Sequence, residues 1–495
     1  MVRRRSLLLA LVMGAGKTVT TLAALDRLIE QGEVKRAVIV VPASLKYQWQ
    51  REIKKFTDHS SIVIDGTPRQ RELLYNVAHR FRIMIINYEA IVNDWDRVRS
   101  IQFDAIAIDE ATTIKSFRAK RSKALKKFGS KIPVRYALTG QPIENRPEDL
   151  YSIMQFVDDS VLGSFEIFDR TFIVRDYFGR PQNYRNLPLL RERMSGCMVR
   201  KTREDIADQL PTVVPSVVPV VFSRAEARLY NKIAARLLMK LDEVSQQFGR
   251  EFNIFAHYGG EGGAEMQMQG EVMSMLLALR LVCDDAELLV ESAKSFENGD
   301  GGSQFAHDLY VEGLLDNVPA STKHAELVAL VDELLDADPR TKIVVFSTFK
   351  GVLHRIKDHY DMAAVEYTGD MNAKQKDRAK QLFKTDPHCR LFLSSDAGGY
   401  GVDIPEANYL ISFDLPWSTG KYEQREARII RLSSEWKHVH IMSMIIEGSV
   451  EQRIYDVLQQ KKGVADAFLD GRYDDKGRFE LTMSSLKKFL EESSV

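Results

Sequence analysis

The chain has 495 residues, 44% hydrophobic and 28% charged, enough to bury more than one core and to build roughly three domains. Lysine plus arginine equals aspartate plus glutamate at 69 each, so no global field gathers polyanions and any nucleic-acid contact must rest on local basic patches. Three distant cysteines, Cys197, Cys283 and Cys389, with no CxxC pair and no histidine at ligand spacing, argue against a disulfide framework or structural zinc and predict reduced thiols.

At the N-terminus, Arg3, Arg4 and Arg5 followed by the apolar run Ser6 to Val12 have the pattern of a short signal peptide. No small-x-small cleavage site follows, and the run leads straight into Gly14, Ala15, Gly16, Lys17 and Thr18, so it reads as a buried strand entering a phosphate loop. In such a loop glycines let the backbone close on phosphates and the next helix, expected over Val19 to Glu30, supplies N–H donors. Lys17 would reach the β- and γ-phosphates and Thr18 would hold Mg²⁺. The competing reading is a glycine-rich turn that binds no nucleotide. No other run approaches the roughly 20 apolar residues of a membrane span, so neither secretion nor membrane insertion is expected.

Further along, 37–41, 83–86 and 105–108 are near-continuous apolar runs, expected as parallel strands covered on both faces. The last ends in Asp109 and Glu110, an acidic pair that is expensive to hold beside an apolar strand without a cation. Asp109 is predicted to hold Mg²⁺ through water and Glu110 to act as general base on the attacking water. A solvated acidic loop is the alternative. Residues 158–322 show helical spacing, as in Arg228 to Val244 and Val272 to Leu289, and read as a helical insertion. Within them the stretches Gly259 to Gly263 and Glu297 to Ser303 are expected as flexible breaks. A second strand set, at 342–346, 391–394 and 409–413, marks another α/β lobe. Beyond it, Arg428 and Arg431 lie three apart in "QREARIIR", a spacing that places both guanidiniums on one helix face and suits arginine fingers, or else a solvated basic face.

Several stretches resemble the Swi/Snf-type ATPases of helicase superfamily two. "IDEATTIK" (Ile108 to Lys115) and "ALTGQPIEN" (Ala137 to Asn145) look like the DEAD-like box and the coupling motif, the latter assigning coupling to Thr139 and Gly140. "VVPASLKYQW" (Val40 to Trp49), "INYEAI" (Ile86 to Ile91), "KIVVFSTF" (Lys342 to Phe349) and "SSDAGGYGVDIPEANYLISFDLPW" (Ser394 to Trp417) resemble motifs Ia, Ib, IV and V. The inter-lobe stretches "MVRKTREDIADQLP" (Met198 to Pro211) and "LLALRLVCDDAELL" (Leu276 to Leu289) distinguish the Swi/Snf type from other members. The resemblance spans about Leu7 to Val457. The sequence departs from the pattern where Leu11 and Val12 replace an acidic pair, Gln141 replaces a threonine, and Leu432, Ser433 and Ser434 replace the usual end of motif VI.

The resemblance implies an α/β fold of two RecA-like parallel-sheet lobes: 1–157, with its upstream part expected to be missing, then the 158–322 insertion, a second lobe over 323–470 and a tail over 471–495. It implies that ATP and Mg²⁺ lie between the lobes, with Arg431 as finger, Arg428 beside it, and Gln424 and Asp403 near the nucleotide. Double-stranded DNA is the implied track, touched by Ser44, Lys46 and Gln48 on one lobe and Thr348, Lys350 and Thr368 on the other. Lys46 and Lys350 read equally as solvated lysines. The implied function is an ATP-hydrolysing, monomeric, cytoplasmic DNA translocase of bacterial or phage type. The alternatives are a strand-separating DNA or RNA helicase, or a DNA clamp with impaired turnover.

Overall fold

Branched aliphatic runs form the strands, because side chains that alternate across a pleated strand can fill two cores at once. The computed structural model describes residues 1–140, 142–143, 147–175, 181–248, 263–396, 402–469 and 483–492. The first strands are β1 (Ser6–Leu11), β2 (Ala37–Val41), β3 (Ser61–Val63), β4 (Ile83–Asn87), β5 (Ala105–Ile108) and β6 (Val134–Thr139). A hairpin, β7 (Ile173–Arg175) and β8 (Pro181–Tyr184), and then β9 (Met198–Lys201) follow. All but the hairpin form one parallel sheet in the order β3-β4-β2-β5-β6-β1-β9. Leu7, Leu9, Ile39 and Val41 pack with Leu22, Leu25, Trp49 and Ile53 of the helices on one face. Leu8, Ala10, Val38 and Val40 pack with Tyr88, Leu125, Phe128 and Leu150 on the other.

The second sheet contains β10 (Thr212–Val220), β11 (Ile343–Ser347), β12 (Ala364–Tyr367), β13 (Leu391–Ser395), β14 (Tyr409–Ser412) and β15 (His438–Ile446). Its order is β10-β15-β14-β11-β13-β12, again with every pair parallel. Helices Arg224–Phe248 and Gly263–Asp284 contribute Leu237, Leu241, Leu276 and Leu279 to the core that holds Ile343 and Val345, so the central helices pack onto this sheet.

The fold differs from the sequence-based expectation in two places. Residues 158–322 are not helical throughout: β9 edges the first sheet and β10 the second, so extended backbone links the lobes. Pro215 and Pro219 lack the N–H of an interior strand, and β10 accommodates them because it is an edge strand paired with β15 alone. In the 471–495 tail, helix Met483–Glu492 buries Leu486 and Leu490 in the second core, and Lys487 pairs with Asp242. The break expected at Glu297 to Ser303 is a turn between helices, with Gly299, Gly301 and Gly302 at positive φ. Gly259 to Gly262 lie outside the described residues. Among the described residues no helix is long and apolar enough to cross a membrane.

Candidate active site

Parallel strands aim their C-terminal ends at one rim, the usual place for a ligand crevice in an α/β sheet. The loop leaving β1 contains Gly14 and Gly16 at φ 84° and 79°, left-handed backbone that glycine adopts without strain. It leads into helix Lys17–Glu30, two residues earlier than expected. Thr18, half-buried, lies in that helix's first turn, and Ala15 N–H donates to the Val12 carbonyl at 3.2 Å. Lys17 Nζ donates to the carbonyls of Leu11 at 3.0 Å and Val12 at 3.5 Å, folding back over its own loop. Burial lowers the Lys17 pKa, while the nearby charges of Glu110 and Asp109 oppose that shift.

Beyond the end of β5, Asp109 is almost fully buried. Its Oδ2 accepts from Trp49 Nε1 at 2.9 Å and its Oδ1 from the Glu110 N–H at 2.9 Å, while its carbonyl accepts from the Tyr88 hydroxyl at 2.6 Å. Burial raises the Asp109 pKa; the Trp49 hydrogen bond and the Lys17 charge work against it. Glu110 has φ 51° and ψ 57°, left-handed backbone that costs a non-glycine residue on the order of 1 kcal/mol. Thr139 ends β6 beside β1, paired in register with Ala10. At Gly140 a Cβ would lie 3.0 Å from Met13 Cγ, so the segment after β6 touches the loop after β1. Gln141, Glu144 and Asn145 of that motif lie outside the described residues.

From the second lobe, Arg431 reaches across. A Cβ at Gly14 would lie 3.2 Å from the Ile430 carbonyl and 3.3 Å from Arg431 Cδ. Arg431 pairs with Asp403 at 2.5 Å, and its buried Nε finds no acceptor among the described residues. The two predicted fingers do not share a helix face. The helix spans Thr419–Glu426, turn hydrogen bonds continue to Ile430, and Ile429 and Ile430 pack into the core beneath the sheet. Arg428 turns inward to the Val402 carbonyl at 3.4 Å, whereas Arg431 faces the phosphate loop. Gln424 lies half-buried on that helix. An ion pair crosses between the lobes, Arg51–Asp377 at 3.7 Å, and Arg203 of the segment joining them pairs with Glu426 at 3.5 Å.

The predicted nucleic-acid contacts also follow strand ends, though not all are open. Ser44 is exposed and Gln48 half-buried after β2. Lys46 is neither solvated nor presented to a ligand: its buried amine donates to Asp65 at 2.6 Å and to the Ile64 carbonyl at 3.2 Å. Lys350 pairs with Asp370 at the surface, and Thr368 is buried. The Thr348 hydroxyl donates to Asp414 at 2.6 Å and accepts from Arg425 at 3.2 Å. The motif V glycines, Gly398, Gly399 and Gly401, lie outside the described residues.

Sequence reasoning missed the buried charges behind these contacts. Arg425 bridges Asp396 at 2.6 Å and Asp414 at 3.3 Å, and Arg280 reaches Asp414 at 3.5 Å, joining the ends of β11, β13 and β14. Burial alone would raise the Asp414 carboxyl; Arg425, Arg280 and hydrogen bonds from Ser347 and Thr348 hold it below the usual range. Lys323 is fully buried between Asp284 at 3.0 Å and Glu451 at 2.6 Å. The available signal was Asp414 itself, an acid at the end of an apolar strand like Asp109.

Residues 2–288 match the family model described as the SNF2-related domain, and residues 326–433 match the helicase conserved C-terminal domain. A Mycoplasma pneumoniae protein named as an uncharacterized ATP-dependent helicase is 26% identical over 491 residues, 98% of this chain and 42% of its own length. The mouse DNA repair and recombination protein RAD54B is 26% identical, covering 94% of this chain and 53% of that protein. The chain thus spans about half the length of these curated relatives. The helicase domain of Hef from Pyrococcus furiosus, at 13% identity, superposes with a TM-score of 0.53 over 92% of this chain and 95% of that one, a likeness of fold.

Proposed function

We propose, from the premise that this chain belongs to the SNF2-related family, that it hydrolyses ATP between its two lobes and uses the change in lobe angle to move along double-stranded DNA. The observation that carries this reading is Arg431 of the second lobe against Gly14 of the phosphate loop. A guanidinium with an unpartnered buried Nε fits beside a loop shaped for phosphates, where it would stabilise charge on a transferring phosphoryl group. In this reading Lys17 exchanges its carbonyl partners for phosphate oxygens, Glu110 orients and deprotonates water, and Asp403 positions Arg431.

Asp109 and Thr18 fit Mg²⁺, which takes one or two carboxylates and phosphate oxygens and keeps several waters. Each Asp109 oxygen accepts one hydrogen bond and retains lone pairs, and a buried carboxylate gains from a cation. Bound there, Mg²⁺ would neutralise charge between the β- and γ-phosphates. RAD54B is by name a DNA repair protein, which favours DNA over RNA as the track.

A triplex-displacement assay tests the translocation. ATP-dependent release of a third strand from duplex DNA, without separation of the duplex, is expected. Duplex separation would instead identify a strand-separating helicase, and ATP-dependent binding without release a clamp.

A further inference from the structure

Between Ala111 and Ile143 the chain has no aspartate or glutamate but nine lysines and arginines, in a protein whose 69 basic and 69 acidic residues balance over its whole length. The centre of this stretch is helix Lys120–Gly129 on the first lobe. Ser122, Leu125, Phe128 and Gly129 form its buried face. Lys120, Lys123 and Lys127 stand exposed on the opposite face at spacings of three and four, one stripe of an α-helix, and Lys131 continues the row just beyond. Lys127 also lies 5.8 Å from the Trp95 ring centroid.

The three helix lysines make no ion pair among the described residues, and the first turn contains no acid. Like charges at these spacings repel, and Lys120 and Arg121 sit at the positive end of the helix dipole, so the arrangement weakens the helix. The neighbouring Lys126 shows the structural alternative: it turns inward to Ser152 Oγ at 2.8 Å and Gln155 Oε1 at 2.9 Å.

The structure assigns the Lys120, Lys123 and Lys127 face to the sugar-phosphate backbone of duplex DNA, as a contact separate from the strand-end residues considered above. This rests on the DNA-translocase reading. From Lys120 to Lys127 the helix rises about 10 Å, the axial length over which one DNA strand presents about three phosphates. The row is also anchored to the active site. Ser122 Oγ and Ser152 Oγ both donate to the Ile114 carbonyl, at 3.3 and 2.5 Å, at the end of the turn that begins from Glu110.

The test is the salt dependence of duplex DNA binding by the full chain, read by fluorescence anisotropy, for the wild type and for K120Q/K123Q/K127Q. Glutamine keeps helix propensity at exposed positions, and a thermal melt checks the fold. The triple variant should weaken binding and flatten the slope of log K against log salt by roughly 2 to 3, whereas K120R/K123R/K127R should retain the wild-type slope. An unchanged slope in the glutamine variant, with wild-type ATPase stimulated by duplex, overturns this inference and leaves the motor reading standing. Wild-type protein that neither binds duplex nor responds to it overturns both. Loss of binding to phosphatidylserine vesicles alone, with duplex binding intact, assigns the face to lipid and overturns the inference.

Discussion

Trp49 and Asp109 come from different motifs, yet a hydrogen bond between them favours the ionised form of the proposed metal ligand. Burial pushes Asp109 up, and Trp49 favours its ionised form. Trp49→Phe removes the donor and moves the Asp109 pKa further up. The carboxylate then protonates at higher pH, so the acid limb of the kcat/KM profile should shift upward. The Mg²⁺ concentration for half-maximal ATPase should rise about tenfold; unchanged values would remove Asp109 from metal binding. Glu110 supports a second prediction from its strained backbone. Glu110→Gly should relieve the strain while ending turnover, so the variant should melt no lower than wild type, whereas Glu110→Gln keeps the strain and loses the activity. At this scale the sequence was legible where spacing along the chain carries the chemistry, as in Gly14, Gly16, Lys17 and the acidic pair. The partners of Asp109, Lys46 and Thr348 were not, because these bonds join positions 60, 19 and 77 residues apart through the tertiary fold.

Among the elements, the segment after Glu426 shows how packing overrides spacing. Arg428 and Arg431 have helical spacing, but the helix ends at Glu426, Ile429 and Ile430 lie in the core, and the two arginines diverge. Arg431→Ala should therefore lower the stimulated ATPase rate by about 10³-fold with the melting temperature unchanged. Arg428→Ala should lower the melting temperature, because it strips the Val402 carbonyl of a buried donor. Equal losses of rate without destabilisation in both variants would contradict this division. Helix Pro68–Val77 offers a pH test. Arg71 and Tyr75 hydrogen-bond Asp94 and hold its carboxyl below the usual range. A depressed folded pKa stabilises above the unfolded value of about 3.9 and loses that contribution as pH falls through the folded value. The melting-temperature gap between wild type and Asp94→Asn should be full at neutral pH and should close below about pH 4. Strands β2 and β5 were legible to the residue, since buried parallel strands read as continuous apolar runs. β10 was not, because its two prolines argue against an interior strand and only the sheet order reveals it as an edge.

For the molecule as a whole, two parallel-sheet lobes bring Arg431 of the second against Gly14 in the loop after β1. The alternation of apolar runs with helices made β1, β2, β4 and β5 of the first sheet and β11, β13 and β14 of the second legible. The edge strands β9 and β10 that lead from one sheet to the other, and the packed terminal helix, were not legible, since each gains stability from a surface contributed elsewhere in the chain. The central claim is that the loop, the acidic pair and the second lobe form one ATP-hydrolysing site driven by duplex DNA. The direct measurement is steady-state ATPase of the full chain without nucleic acid and with duplex DNA, single-stranded DNA or RNA, alongside Lys17→Ala and Glu110→Gln. The account predicts stimulation greatest with duplex, and a loss of at least about 10²-fold in both variants. A stimulated rate that survives either substitution would contradict it.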